Sequence, residues 1–336
     1  MRTVSTNSKS TPRRAAAKTP VPPRPQKVRQ VSPSPAVAAK PLAAELSLTD
    51  AFATLYDKAA DDVLATIDVV LRDMTPNNVH RMRVAIRRLR SGLKQFRSEK
   101  TEDAIGARDA ALRDLANAFA VVRDIDVLKT ELVPQLGVSL GLEPITRLDA
   151  ALDARREAAA ESARSFLASQ KGQAILGQLA DHKTAHRLFL DAEMRTESLG
   201  EHVPHQLRRA AKRLKKRCRD FSSLEVEQLH SARKAAKTLR YTFDLYVSLY
   251  PERRALELAV NLKAMQDAFG ALNDLTLTPH LDRLRDAAPD DAALAHATGF
   301  LSGAMTARAE HAREDARAAW KIVRTTALFR GGFRLG

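Results

Sequence analysis

Apolar residues recur along this chain at intervals of three and four from about residue 47 to about residue 326, and no stretch alternates apolar and polar residues as a strand would. The spacing predicts helices near 47–74, 76–97, 103–132, 144–169, 174–197, 204–219, 223–249 and 251–269, with a long C-terminal stretch from about 290 to 326. Pro76, Pro134, Pro144, Pro204, Pro251, Pro279 and Pro289 fall between these segments. A ring that fixes φ and removes an N–H starts or stops a helix there. Thr75 before Pro76 reads as an N-cap followed by proline at the first helical position, and Ser222-Ser223-Leu224-Glu225 reads as a capping box. The fold class is all-α.

The pattern also repeats. Val79-His80-Arg81-Met82-Arg83-Val84-Ala85-Ile86-Arg87-Arg88-Leu89-Arg90 aligns with Leu229-His230-Ser231-Ala232-Arg233-Lys234-Ala235-Ala236-Lys237-Thr238-Leu239-Arg240 at a shift of 150 residues. The same shift places Leu115, Phe119, Val122, Asp124, Ile125 and Val127 on Met265, Phe269, Leu272, Asp274, Leu275 and Leu277. Two matches without a gap between them point to an internal duplication, and two similar helical bundles are its economical outcome. The division predicted is a tail over 1–45, a first bundle over 46–200 and a second over 201–336.

On a helical wheel starting at His80, Val79, Met82, Ile86, Leu89, Leu93 and Phe96 occupy roughly 160–260° and form a core face. Arg83, Arg87, Arg90 and Lys94 fall at roughly 280–340°, so the cations border the core and do not oppose it. In the second copy Leu229, Ala232, Ala236, Leu239, Phe243 and Tyr246 make the apolar face, and Arg233, Lys237 and Arg240 the stripe. Asp244 stands where the first copy has Lys94, which predicts a longer cationic track on the first helix. From position 80 to 94 the stripe runs about 21 Å. A solvated helix usually alternates charge signs at i,i+4, so a line of cations beside a core calls for an anion. Arginine forks suit phosphate oxygens, lysine adds a compact charge, and imidazole donates a hydrogen bond and titrates near neutrality. Lower pH is therefore expected to strengthen binding through His80 and His230.

Composition agrees. Across 336 residues the chain is 44% hydrophobic but only 5% aromatic. Its charge of +15 asks for an acidic partner. Over half of that excess lies in residues 1–44, which hold nine basic residues and no acid; the 46 basic and 40 acidic residues that follow leave only +6. Eight of the 15 prolines also lie in the first 41 residues. Such a segment buries too little to offset its ordering entropy and is expected to be a disordered basic tail. A single cysteine, Cys218, excludes an intrachain disulfide and reads as a buried helix residue. No run approaches a membrane span and the N-terminus lacks the apolar core of a secretory signal, so a cytoplasmic protein is expected.

His80-Arg81-Met82-Arg83-Val84-Ala85-Ile86-Arg87-Arg88-Leu89-Arg90, its partner from His230 to Tyr241, and Val122-Arg123-Asp124-Ile125-Asp126-Val127 together resemble the CHAD family, the conserved histidine α-helical domain. The resemblance runs from about residue 46 to about 326. It implies two pseudo-symmetric four-helix bundles lined between them by basic residues, binding inorganic polyphosphate without hydrolysis, at cytoplasmic polyphosphate granules. Carried over by position, the ligand residues would be His80, Arg83, Arg87 and Arg90 with His230, Arg233, Lys237 and Arg240. Asn273 opposite Arg123, like Asp244 opposite Lys94, breaks the internal symmetry.

Other candidates are weaker. Residues 208–217 are seven-tenths basic with no acid. They read either as a solvated face or as a second wall of the anion site, with Arg208, Lys212 and Lys215 sharing one flank. His182 and His186 have i,i+4 spacing but no third metal ligand, and His202 and His205 flank Pro204 at an expected helix start. Glu225-Val226-Glu227 superficially resembles the Glu-x-Glu-x-Lys pattern of triphosphate tunnel metalloenzymes, but Leu229 occupies the Lys position. No phosphate-cradling glycine loop, acidic metal pair or activated nucleophile is evident, so neither an enzyme nor a cofactor is expected. A nucleic-acid or nucleoid-binding protein using the basic tail and the basic helices is the alternative function, with DNA reached through the tail.

Overall fold

A computed structural model of the protein describes residues 42–97, 101–136, 140–188 and 197–330, all within a compact unit spanning 39–336. The first half contains α1 (Leu48–Arg72), α2 (Pro76–Leu93), α3 (Glu102–Ala118), α4 (Ala120–Val127), α5 (Leu142–Ala168), α6 (Gln170–Ala180) and α7 (His182–Leu188). The second contains α8 (Leu199–Arg217), α9 (Val226–Leu245), α10 (Glu252–Asp274), α11 (Thr278–Ala287) and α12 (Ala292–Val323). Among the described residues no strand occurs; a lone bridge joins Ser47 to Ser198. The protein is all-α.

The duplication is visible in where helices begin. α2 and α9 start at Pro76 and Val226, α3 and α10 at Glu102 and Glu252, α5 and α12 at Leu142 and Ala292, each pair 150 residues apart. The caps of α1 and α8 are tied to each other: Leu48 N donates to Glu197 O at 3.1 Å and Leu199 N to Leu46 O at 2.8 Å. The halves then meet along α2 against α9 and α5 against α12. Both apolar clusters take residues from each half. One joins α1–α3 to α8–α10; the other sets Ile125, Leu128 and Leu148 against Leu277, Leu281 and Leu301.

Both predicted core faces are buried, from Val79 to Phe96 and from Leu229 to Tyr246. Burial of each large aliphatic side chain contributes about 1.5–3 kcal/mol. Thr75 caps α2 by accepting from Asn78 N at 3.4 Å, with Pro76 at the first position. Elsewhere the boundaries move. The segment read as one helix over 103–132 breaks at Phe119 (φ −103°, ψ 10°), whose fully buried ring is turned into the core, and a π turn follows over Leu128–Leu132. Helix α8 is capped by Ser198, where a reciprocal box with Glu201 satisfies both backbone amides, so Pro204, His202 and His205 lie inside the helix. Glu225 with Gln228, not Ser222, caps α9. Pro279 starts a helix, α11, which lies between the segments read over 251–269 and from about 290.

Most of the tail expected over 1–45 lies outside the described residues, as do 189–196 of the helix expected over 174–197. The described chain is already packed at Leu42, which is buried, and Ala44 O accepts from Gly200 N at 2.8 Å. No helix of the described residues is long and apolar enough to cross a membrane.

Candidate functional site

The contact between α2 and α9 brings the two basic stripes together. Two side-chain hydrogen bonds fix their register: Arg87 Nη1 donates to Tyr241 Oη at 2.8 Å, and Gln95 Nε2 donates to Thr242 Oγ1 at 3.0 Å in a buried position. The Arg87 guanidinium also lies 5.8 Å from the centre of the Tyr241 ring, a cation–π arrangement. Arg83, Arg87, Arg233 and Lys237 are all half-buried, because their Cβ atoms border the apolar faces that the helices turn inward.

Their charges act on one another across the seam. Lys237 is pushed down to about 7 by burial and then by Arg233, Arg87 and Arg83. Arg233 is lowered to about 10, again by burial first and then by Arg87, and its buried Nε has no hydrogen-bond partner. Arg83, lowered by burial and Arg87, donates to the Ala116 carbonyl. His80 is exposed at one end of the seam; partial burial and then the charges of Arg123 and Arg87 lower its pKa. His230 is lowered by burial and by Lys234, Arg233 and Lys237. Among the described residues no carboxylate pairs directly with Arg83, Arg87, Arg233 or Lys237. Burial without a counter-ion disfavours charge, and an incoming polyanion reverses that balance.

The outer ends of the stripes are different. Arg90 grips Asp109 of α3 with Nε at 2.8 Å and Nη2 at 3.3 Å, and Lys94 reaches the same carboxylate at 3.2 Å. Burial alone would raise the Asp109 pKa, but the Arg90 hydrogen bond and the Lys94 and Arg90 charges outweigh it and hold the carboxyl below its usual range. Arg240 donates to Gln266 Oε1 at 2.9 Å and lies 3.4 Å from Asp244. Each stripe therefore ends at a carboxylate, one from its own helix and one from a neighbour. The longer first track expected from Lys94 stops at Asp109.

The seam also has a polar floor. Arg123 pairs with Glu131 at 2.8 Å beside His80, Asp124 lies 3.3 Å from buried His280 and moderates Arg83, and Asp274 lies near Arg233 with its own pKa raised by burial. Asp124 and Asp274 are the positions matched by the sequence repeat. Asp126 of the same motif is structural: it is 1% exposed and accepts from Arg156 at 2.7 Å, while Arg156 also donates to Met74 O at 2.6 Å.

Arg208, Lys212 and Lys215 are exposed on α8, as are Arg209, Arg213 and Lys216 on its other flank. The helix packs on α9 through Leu207, Ala210, Ala211 and Leu214. Its cations are absent from the charges that shift His230, Arg233 and Lys237. Arg208 lies instead near Tyr250, whose hydroxyl burial pushes up to about 12 against that charge.

His182 and His186 of α7 face α1: His186 Nε2 is 2.7 Å and His182 Nδ1 3.5 Å from Asp57 Oδ1, and His182 Nε2 is 3.4 Å from Asp61. His202 bridges Glu197 and the Gln95 carbonyl. Among the described residues no group of three His, Cys, Asp or Glu side chains is arranged to hold a metal ion. Burial pushes the Cys218 thiol up to about 12, which leaves it unreactive at neutral pH.

Sequence reasoning missed Tyr241 as the partner of Arg87 and Asp109 as the terminator of the first track. The tyrosine falls next to Arg240 in the repeat, but its counterpart Ser91 carries no ring to betray a cross-helix role. Asp109 lies on another helix, beyond any i,i+4 pattern.

The CHAD domain profile matches residues 54–283. Among solved structures, the chain is similar to the CHAD domain of the plant Ricinus communis, with 23% identity, a TM-score of 0.75, and coverage of 89% of this chain and 98% of that one. It is also similar to PptA from Streptomyces chartreusis, with 18% identity, a TM-score of 0.59, and coverage of 82% and 100%. At these identities the likeness establishes the fold alone. No curated protein matches the sequence.

Proposed function

This chain belongs to the CHAD domain family, and from that premise we propose that it binds inorganic polyphosphate, without hydrolysing it, along the seam between α2 and α9. The observation that carries the proposal is the cluster of Arg87, Arg233 and Lys237, half-buried and mutually repelling, with no paired carboxylate among the described residues. A chain of phosphates supplies charge at short, regular spacing and matches a line of cations better than a compact anion does. Arg83 and His80 extend the line on the first helix and His230 on the second. Arg90, Lys94 and Arg240 join it when phosphate displaces their internal partners. Retention at cytoplasmic polyphosphate granules follows from this binding.

Binding without hydrolysis is supported by the state of the seam's carboxylates among the described residues. Asp124, Glu131 and Asp274 are engaged by or close to histidine and arginine, and none activates a nucleophile.

The test is equilibrium binding of long-chain polyphosphate, with 20-base-pair duplex DNA as competitor at equal phosphate concentration and orthophosphate release followed with added Mg²⁺. Tight binding that weakens steeply with salt, survives the competitor and releases no phosphate is expected. Displacement by DNA, or phosphate release above background, would overturn the proposal.

A further inference from the structure

The outer face of α8 is a dense cationic feature that the seam does not use. Around its axis the buried residues Val203, Leu207, Ala210, Ala211 and Leu214 span roughly 200–300° from Arg208 and form its core face. Six of its seven exposed cations fall in two rows on the opposite side, with Arg217 at the last turn outside both. Arg208, Lys212 and Lys215 lie at roughly −20 to 40°, and Arg209, Arg213 and Lys216 at roughly 80 to 140°. Each row runs about 10 Å along the axis. Among the described residues none of these six pairs with a carboxylate. A merely solvated helix would intersperse acids at i,i+4, and residues 206–219 contain none.

We propose that α8 is a second polyanion-binding surface, separate from the seam, whose two cationic rows bind duplex DNA through its phosphates. The two rows decide the ligand. A single-stranded polymer offers one line of charge and would engage one row. A B-form duplex offers two phosphate lines flanking a major groove about 12 Å wide, which admits a helix about 10–12 Å in diameter. The three other residues between 208 and 216, Ala210, Ala211 and Leu214, include no aromatic side chain on which an unpaired base could stack, which further disfavours single strands. The contacts proposed are to phosphate oxygens, which fix the position of a duplex and carry no sequence information. The inference stands whether or not the seam takes polyphosphate.

The experiment uses the full chain, so the N-terminal tail is constant. Arg208, Arg209, Lys212, Arg213, Lys215 and Lys216 are all replaced by Gln, a good helix former at exposed positions. A second variant carries Arg87→Gln, Arg233→Gln and Lys237→Met. Fluorescence anisotropy reports binding of a 20-base-pair duplex and of long-chain polyphosphate across a salt series, with circular dichroism to verify the fold. The α8 variant is expected to lose at least tenfold in duplex affinity, with a salt slope shallower by about four units for roughly five lost phosphate contacts. It should keep its polyphosphate affinity, whereas the seam variant should do the reverse. Duplex affinity within threefold of the parent in the α8 variant would overturn the inference. Equal loss of duplex and polyphosphate would also overturn it, by making α8 one wall of the seam site. If the parent binds duplex through α8 but no polyphosphate at all, this inference survives and the seam proposal fails.

Discussion

Lys237 offers a direct reading of the seam through protons. In the free protein burial and three arginines hold its pKa near 7, a fall from 10.5 that makes its charge unfavourable by a few kcal/mol at about 1.4 kcal/mol per unit. A bound phosphate chain opposes both causes and restores an ordinary value. The lysine then carries about a tenth of a charge at pH 8 when free and nearly a whole one when bound, so binding takes up about 0.9 of a proton. Because the bound form holds more protons, affinity falls as pH rises through 7: about fivefold from pH 7 to 8 and roughly fiftyfold from 7 to 9, with little change below 6 from this residue. His80 and His230, also lowered when free, add their own uptake at lower pH in the same direction. Calorimetric titration of long-chain polyphosphate at pH 8, in Tris and in HEPES, measures the uptake from the difference in heats. The parent should take up close to one proton and Lys237→Met close to none. Uptake below about 0.2 in the parent, or equal uptake in both, would refute the reasoning.

Three further outcomes follow from the packing. Asp109→Asn frees Arg90 and Lys94, so polyphosphate affinity at low salt should rise about three- to tenfold while stability drops by about 1 kcal/mol; unchanged binding in a salt series would show that the track does not reach those residues. Arg156→Met leaves the Asp126 carboxylate buried without its partner and should cost about 3 kcal/mol in urea denaturation, against an expectation of near zero if the pair were dispensable. Gly172→Ala drives a Cβ into the Phe166 and Leu167 carbonyls, where α5 turns into α6 at Ser169, so the melting temperature should fall by several degrees; an unchanged value would mean that this turn relaxes freely.

The helices, their apolar faces and the duplication were legible because each is a local or periodic property. Val79, Met82 and Ile86 lie where a period of 3.6 puts them, and the 150-residue shift recurs in the helix starts. Boundaries set by tertiary packing were not. Phe119 breaks a helix without a proline or glycine to announce it, and Ser198 caps α8 inside a contact with Ser47 that joins distant segments. At the site, periodicity placed the cations beside the core but could not say which meet. Arg87 and Lys237 face each other only because α2 and α9 pack together, while Arg90 and Lys94 turn to a carboxylate 15 and more residues away on α3. The same limit applies to α8: its charge was evident, but only its packing on α9 shows that both flanks are left to solvent.

The central claim is that the α2–α9 seam itself holds polyphosphate. It is tested most directly by titrating long-chain polyphosphate into the parent and the Arg87→Gln, Arg233→Gln, Lys237→Met variant at several salt concentrations. Removing half-buried cations that repel one another should leave the variant as stable as the parent or more so, so lost binding cannot be ascribed to unfolding. The account predicts a Kd at least 100-fold weaker at low salt and a salt dependence shallower by about two units. A folded variant that binds within threefold of the parent, with the same salt dependence, would contradict it.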